Sequence, residues 1–243
     1  MPDLSPASLV ALMVAVAAGA VVQGGIGFGF ALIAVPALGL LAPGSVPATA
    51  LLLASPMTLV MAVRERAHLH ARGAVAIVGG RLFGSILGAW IVVVVPEGRI
   101  AVVVGALIVL AVALSAVRLD VQPTPAVTVG AGFVAGVTGT AAAIGGPALA
   151  VAYQNRPGPE LRATLALSFV AGQVLSIGAL AVAGEVHAWH VGLAARLTPA
   201  LLLGLWAARP LARFLDRGWL RPAVLGFALL AGVTIALRGL LGG

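Results

Sequence analysis

Apolar runs long enough to cross a lipid bilayer fill most of this chain of 243 residues. Hydrophobic residues make up 61% of the sequence and charged residues only 9%, which leaves too little polar surface to cover a water-soluble globule. The sequence therefore predicts an all-α integral membrane protein. Six runs have the length of roughly 17 to 25 residues that one transmembrane helix needs. They are residues 47–63, 74–95, 100–117, 163–183, 190–208 and 222–241.

Two further apolar runs, 8–41 and 126–153, are too long to be single spans. At 1.5 Å per residue they would make helices of roughly 50 and 42 Å, against a hydrocarbon core of about 30 Å. Both are rich in glycine, and both contain the sequence Pro-Ala-Leu, at residues 36–38 and 147–149. Because glycine and proline interrupt helices, we expect each run to form a broken, re-entrant hairpin.

The arginines indicate the topology of these hairpins, because cytoplasmic loops of membrane proteins collect positive charge. If both long runs enter and leave the bilayer on one side, one face of the membrane keeps only Arg99 and Arg238. The other face carries ten arginines: Arg64, Arg66, Arg72, Arg118, Arg156, Arg162, Arg209, Arg213, Arg217 and Arg221. The sequence thus predicts one membrane domain made of two inverted-topology repeats, 1–118 and 119–243. Each repeat would be a hairpin followed by three transmembrane helices.

The two halves also align with each other by residue type. An offset of 115 positions pairs Arg81-Leu82 with Arg196-Leu197, and it pairs Thr58 with Gln173. Inverted repeats with discontinuous helices are the architecture of many secondary transporters, which bind substrate near the membrane midplane where the halves meet. We therefore expect the two hairpins to form two sides of one binding site.

Glycines and a few other residues recur at the two hairpins. The first hairpin contains Gly19, Gln23, Gly24, Gly25, Gly27, Phe28, Gly29 and Pro36, and the second contains Gly130, Gly136, Gly139, Gly145, Gly146 and Pro147. This pattern resembles the TauE/SafE family of sulfite and organosulfonate exporters over nearly the whole chain. The resemblance implies a multi-pass carrier of sulfur-containing anions in the bacterial inner membrane. The second copy departs from the family pattern at residues 140–143, where one threonine and three alanines stand in place of a run of glycines.

The hairpins supply most of the candidate anion-binding residues. Glycine permits left-handed backbone and close approach, so backbone N–H groups and helix N-termini can point at an anion. The candidates are Gln23, Gly24, Gly25, Gly27, Gly29, Pro36, Thr138, Gly139, Thr140, Gly145, Gly146 and Pro147. The same spacing of small residues also serves ordinary packing of transmembrane helices, so both interpretations stay open.

Three polar residues within the spans complete the predicted substrate site. Arg81 and Arg196 lie inside apolar runs, where a charge is costly unless it is paired or functional. A guanidinium can donate two hydrogen bonds to one oxyanion, although each side chain could instead extend to the membrane surface. Gln173 lies in the middle of its span, where an amide without a partner is costly to bury.

The residue types exclude several classes of function. The chain has no lysine, which excludes a Walker A phosphate loop and a retinal Schiff base. Its seven acidic residues fall in loops or terminal segments, which argues against an enzyme such as a lipid pyrophosphate phosphatase. The four histidines fall in two loops with too few further ligands for a metal site.

The function that fits best is a secondary carrier of small anions, sulfite or organosulfonates, working by alternating access. No metal, cofactor or nucleic acid is expected. The expected partners are the anion and the bilayer, with a proton as coupling ion and a homodimer as open questions. A passive anion channel stays an alternative, because it would use the same backbone dipoles and arginines. An intramembrane phosphatase is the alternative from another class.

Overall fold

The structure, a computed structural model, describes residues 4–116, 121–215 and 220–241, with side chains except at 97–98, 209–215 and 220–221. Within these ranges the chain forms ten α-helices, one short 3-10 helix at Arg66–His68, and no strand. The α-helices are α1 (Pro6–Ile26), α2 (Phe30–Leu41), α3 (Ala48–Glu65), α4 (Ala71–Val94), α5 (Glu97–Ala116), α6 (Pro125–Ala142), α7 (Gly146–Tyr153), α8 (Gly158–Val182), α9 (Ala188–Leu215) and α10 (Leu220–Leu241).

Eight of the described helices are long and apolar enough to cross a membrane: α1, α3, α4, α5, α6, α8, α9 and α10. The other two, α2 and α7, have 12 and 8 residues. At 1.5 Å per residue they are about 18 and 12 Å long, too short to cross the hydrocarbon core. The all-α membrane class that the composition predicts is confirmed.

Both long apolar runs are divided into a long helix and a short one. The first run breaks after α1, where Gly27 and Gly29 have φ angles of 101° and 117°. The second breaks after α6, where Ala143 has a φ angle of 59°, in the left-handed region that is strained for alanine. Because each break lies past the middle of its apolar run, the helices before the breaks, α1 and α6, have 21 and 18 residues. These two helices therefore reach the length of a span, in addition to the six predicted ones.

Some predicted helix ends differ from the observed ones. Helix α8 begins at Gly158 rather than at 163, with Glu160 in its first turn, where an acidic residue suits the helix dipole. Helix α9 continues to Leu215. The prediction ended it at 208 because the apolar run stops at that residue, although the helix continues beyond the run. The predicted junction between the halves at 118–119 lies outside the described residues, as do Arg118 and Arg217.

The two ends of the helical bundle are marked by different residues. At one end Glu65, which closes α3, forms an ion pair of 3.5 Å with Arg162 at the start of α8. We call this the arginine-rich end; it holds residues 64–72 and 153–162. At the opposite end, His190 Nε2 at the start of α9 lies 3.3 Å from the carbonyl oxygen of Gly44.

Helices α4 and α6 pack in parallel. A Cβ on Gly132 would meet the backbone of Ile77, and a Cβ on Gly88 would lie 2.8 Å from the Cβ of Thr140. The early residues of the two helices therefore face each other, and so do the late ones. Since α4 begins at the arginine-rich end, both helices run away from it.

Helices α1 and α9 also pack in parallel, in the other direction. A Cβ on Gly204 would meet the backbone of Ala17, and a Cβ on Gly24 would lie 2.6 Å from the Cβ of Ala208. Because α9 begins at the opposite end, both helices run toward the arginine-rich end. The long helices before the two breaks, α1 and α6, thus run in opposite directions through the bundle.

Candidate functional site

A small cavity lies where the two helix breaks meet. Its volume is about 50 Å³, which is room for a few water molecules or for one small oxyanion. Helices α3, α4 and α8 complete its wall, with Thr58 and Phe169 among the lining residues. Eight of the predicted site residues line it: Gln23, Gly29, Arg81, Gly139, Gly145, Gly146, Pro147 and Gln173.

Among the residues that the structure describes, Arg81 is the only charged side chain that lines this cavity, and it is 2% exposed. Its guanidinium rests on Gly172 of α8, where a Cβ would overlap it. Its Nη1 donates to the carbonyl oxygen of Ser168 at 3.3 Å, and its Nε has no hydrogen-bond partner. None of the ion pairs within the described residues involves Arg81. A buried cation without a counter-ion is costly, so this cavity favours an anion.

Two glutamines present amide groups at the cavity. The Oε1 of Gln23 accepts a hydrogen bond of 3.2 Å from the backbone N–H of Phe30, which bridges the first break and caps α2. The Oε1 of Gln173 accepts one of 2.6 Å from Thr58 Oγ1. Within the described part of the chain neither Nε2 group has a partner, so each has donors left for a ligand.

Both short helices begin at the cavity. Gly29, which precedes α2, and Gly146, which opens α7, belong to its wall. Helix N-termini carry partial positive charge from the aligned peptide dipoles. Arg81, the two amides and the two helix N-termini therefore present positive charge or hydrogen-bond donors to the same small volume.

The two predicted threonines of the second hairpin do not line the cavity. Thr138 Oγ1 lies 2.9 Å from the carbonyl oxygens of Val134 and Ile144, so it links the two sides of the second break. Thr140 is fully buried, and its Oγ1 lies 2.7 Å from Ser176 Oγ. The first of these side chains holds the break together, and the second faces α8.

The remaining hairpin candidates pack rather than line the site. Gly24 lies against α9, Gly27 lies against Arg162 at the arginine-rich end, and Pro36 is buried inside α2. Gly25 belongs to α1 and is partly exposed. For these residues the packing interpretation of the glycine spacing describes the contacts better.

Arg196 has different surroundings from those of Arg81. Its side chain is exposed, while the next residue, Leu197, is fully buried. Consecutive residues of a helix point about 100° apart, so the buried face of α9 passes beside Arg196 without including it. The 115-residue offset, which pairs the two arginines, did not predict this difference in orientation.

Gly172 is a site residue that sequence reasoning missed. It precedes Gln173, and its missing side chain makes room for the guanidinium of Arg81. The available signal was a glycine next to a buried amide within a span. That signal becomes specific only once the packing partner on α4 is known.

A larger cavity of about 250 Å³ adjoins the first and shares Gly29, Leu32 and Pro147 with it. It extends toward the arginine-rich end, where its wall includes Ile26 and Leu161. Most of its lining side chains are apolar. The small polar cavity thus has a wider neighbour on one side of the bundle.

No group of three or more potential metal ligands occurs among the described residues. The family model described as sulfite exporter TauE/SafE matches residues 11–235, nearly the whole chain. The chain belongs to the TauE/SafE family. This is a family of transporters rather than enzymes, and the resemblance carried by the glycine pattern is confirmed. The TauE/SafE match includes both helix breaks and therefore both sides of the cavity. No curated protein and no solved structure matches the chain.

Proposed function

We propose that this TauE/SafE protein is a secondary transporter of small sulfur oxyanions, sulfite or organosulfonates, and that the anion binds in the cavity between the two helix breaks. The observation that carries the proposal is the buried guanidinium of Arg81, which lines the cavity without a carboxylate partner. An oxyanion would neutralise this charge and accept hydrogen bonds from it. The Nε2 groups of Gln23 and Gln173 would donate to the remaining oxygens.

We propose that transport follows alternating access between two inverted halves. Two observations support this. The long helices α1 and α6 run in opposite directions, as inversion requires. Thr58 and Gln173, which the 115-residue offset pairs, are hydrogen-bonded to each other, as equivalent residues near a two-fold axis can be. In such transporters the site lies at the interface of the repeats, and rocking of one against the other exposes it to each side in turn.

The surroundings of the site support a state of this cycle that opens toward the arginine-rich end and is closed toward the opposite end. The 250 Å³ cavity leads from the site toward the arginine-rich end, which the distribution of arginines assigns to the cytoplasm. Toward the opposite end, Leu51, Ala89 and Leu180 form a buried apolar cluster. A site that is wide on one side and sealed on the other favours a carrier over an open channel. The bacterial inner membrane as location, a coupling proton and a homodimer stay predictions.

Counterflow in liposomes tests the proposal. Vesicles that contain the purified protein and unlabelled sulfite are diluted into a trace of radiolabelled sulfite. A carrier accumulates label transiently inside, because exchange is faster than net loss, whereas a channel only equilibrates it. We expect accumulation with sulfite and with small sulfonates and none with choline. Equilibration without accumulation would favour the channel, and no uptake of any sulfur anion would contradict the proposal.

The proposed orientation has a separate test, because the chain has no cysteine. His187→Cys, at the opposite end, should react with a membrane-impermeant maleimide added outside intact cells. Gly158→Cys, at the arginine-rich end, should react only after the membrane is opened. Labelling of both in intact cells would refute the assignment of the two ends to opposite sides of the membrane.

A further inference from the structure

Two buried polar atoms on one face of α4 have no hydrogen-bond partner: Arg81 Nε and Ser85 Oγ. The two residues are one helical turn apart, so their side chains lie on the same face. A buried serine in a helix ordinarily donates to the carbonyl oxygen four residues earlier, as Ser168 does to Thr164 at 2.7 Å. Ser85 is 1% exposed and makes no such bond. Its hydroxyl group is therefore available to something else.

Two more buried hydroxyl groups lie at the level of Ser85. Ser176 is one turn after Gly172 on α8, and Gly172 is the residue on which the guanidinium rests. Thr140 is beside α4, because a Cβ on Gly88 would lie 2.8 Å from its Cβ. The hydroxyl oxygens of Thr140 and Ser176 are 2.7 Å apart. We call Ser85, Thr140 and Ser176 the hydroxyl cluster.

Along α4 and α8 the hydroxyl cluster lies between Arg81 and the apolar cluster of Leu51, Ala89 and Leu180, whose Leu51, on α3, itself lines the cavity. Helices α4 and α8 both run away from the arginine-rich end. Ser85 and Ser176 therefore lie one turn farther from that end than Arg81 and Gly172 do. Ala89 on α4 and Leu180 on α8, which belong to the apolar cluster, lie one further turn away. An anion that leaves Arg81 along α4 and α8 for the opposite end meets these hydroxyl groups before it meets Ala89 and Leu180.

Resting on the proposed function, we infer that the hydroxyl cluster is a second binding site for the transported oxyanion on its way from Arg81 to the opposite end. The ligand class is the same small oxyanion, whose several oxygens accept hydrogen bonds from hydroxyl donors. The hydroxyl group of Ser85 has no partner and can donate a hydrogen bond to the anion. The hydrogen bond between Thr140 and Ser176 uses one of their two hydroxyl protons, so the other can also be donated. The cluster itself carries no charge, so it binds the anion more weakly than Arg81 does. A pathway needs such weak sites if the anion is to leave.

Separate measurements of binding and flux test this inference. The variants are Ser85→Ala, Thr140→Val and Ser176→Ala, made singly and together in the full chain. Sulfite binding in detergent should stay within about twofold of the unmodified protein, because Arg81 remains. Sulfite flux in liposomes should fall about tenfold in the triple variant, as the loss of two or three neutral hydrogen bonds predicts. Thr140→Ser, which keeps the hydroxyl, should retain flux.

Thr198→Val is the matched control, since the Thr198 hydroxyl donates to its own helix at Ala194 and lies outside the cluster. Unchanged flux per folded protein in the triple variant, with or without a lower melting temperature, would overturn the inference. That conclusion requires that Arg81→Ala abolishes flux in the same assay. If Arg81→Ala also transports normally, the proposed binding role of Arg81 fails instead.

A cysteine scan keeps the inference testable if the triple variant does not fold. Ser85→Cys would be the only thiol in the chain. It should react slowly with a maleimide, and a small sulfonate should protect it; sulfite is unsuitable here because it reacts with maleimides. A thiol at position 85 that the sulfonate does not protect, while sulfite flux persists, would contradict an anion site at this level.

Discussion

Arg81 and Arg196, which an offset of 115 positions pairs in the sequence, lie in opposite environments. Arg81 is buried at the second helix break and lines the cavity between the two breaks. Arg196 is exposed on α9. The 115-residue offset thus pairs two residues that occupy differently buried faces of their helices. Rotation of a helix by one residue, about 100°, separates a buried residue from a surface residue.

The same comparison shows how the two breaks are supported. Helix α4 of the first half packs against α6, beside the second break, and α9 of the second half packs against α1, beside the first. At the second break the supporting helix provides a guanidinium. Beside Gly24, before the first break, it provides Ala208 and Leu205. The cavity is therefore lined by the charged group of Arg81 at the second break. At the first break it is lined by the amide of Gln23 and the N-terminus of α2.

The largest effect is expected from removal of the buried charge. Arg81→Ala should lower sulfite flux and affinity roughly a hundredfold, because charge-assisted hydrogen bonds to a buried ligand are worth about 1.5–3 kcal/mol. The measurements are liposome flux and the rise in melting temperature with sulfite, which reports binding to the folded form. Flux above a tenth of the unmodified value would mean that the anion is held mainly by the helix N-termini and the amides.

A steric change should displace Arg81 without removing it. In Gly172→Ala the added methyl group would overlap the guanidinium, so the Arg81 side chain must move away from position 172. We expect about a tenfold loss of sulfite affinity and a destabilisation of roughly 1–3 kcal/mol, as for overpacking of a core.

Gly178→Ala on the same helix is the matched control, because nothing lies within 4 Å of a Cβ there. It should leave binding, flux and melting temperature nearly unchanged. Equal behaviour of the two alanine variants would show that Arg81 does not depend on the space at Gly172.

A smaller effect is expected where the two halves meet without charge. Thr58→Val and Gln173→Leu each remove one partner of a buried hydrogen bond of 2.6 Å. Each should lower flux by roughly fivefold, and a double-mutant cycle should give a coupling energy of about 1 kcal/mol. Ser55→Ala, on the same helix as Thr58, removes only a bond to its own backbone and serves as control. Additive effects of the two changes would argue that the contact does not matter to transport.

Much of the fold could be predicted because membrane-crossing helices are long and apolar, and the runs 47–63 and 74–95 lie close to α3 and α4. The helix count was harder, since hydropathy marks where a run ends but not where glycines divide it. Gly27 and Ala143 lie just past the middle of their runs, which leaves α1 and α6 enough residues to reach membrane-crossing length.

The site was predictable in part. Arg81, Gln23 and Gln173 stand out in sequence because polar groups in apolar runs are costly, and all three line the cavity. The roles of Gly172 and Ser85 depend on a neighbouring helix, which no pattern within one run reveals. Arg196 has the same signal as Arg81 and faces outward, because a one-residue rotation leaves hydropathy unchanged.

The smallest effect is expected at this second arginine. Within the described part of the chain Arg196 forms no ion pair, and exposed charges contribute little to stability. Arg196→Ala should therefore keep sulfite binding and flux within about twofold of the unmodified protein. The variant also bears on the proposed mechanism, in which transport by inverted repeats would exchange the conformations of the two halves. If Arg196→Ala lost flux but kept sulfite binding, α9 would have to rotate during the cycle and bring Arg196 into the place that Arg81 now holds. That result would turn the difference between the two arginines from a property of their helix faces into a property of one state.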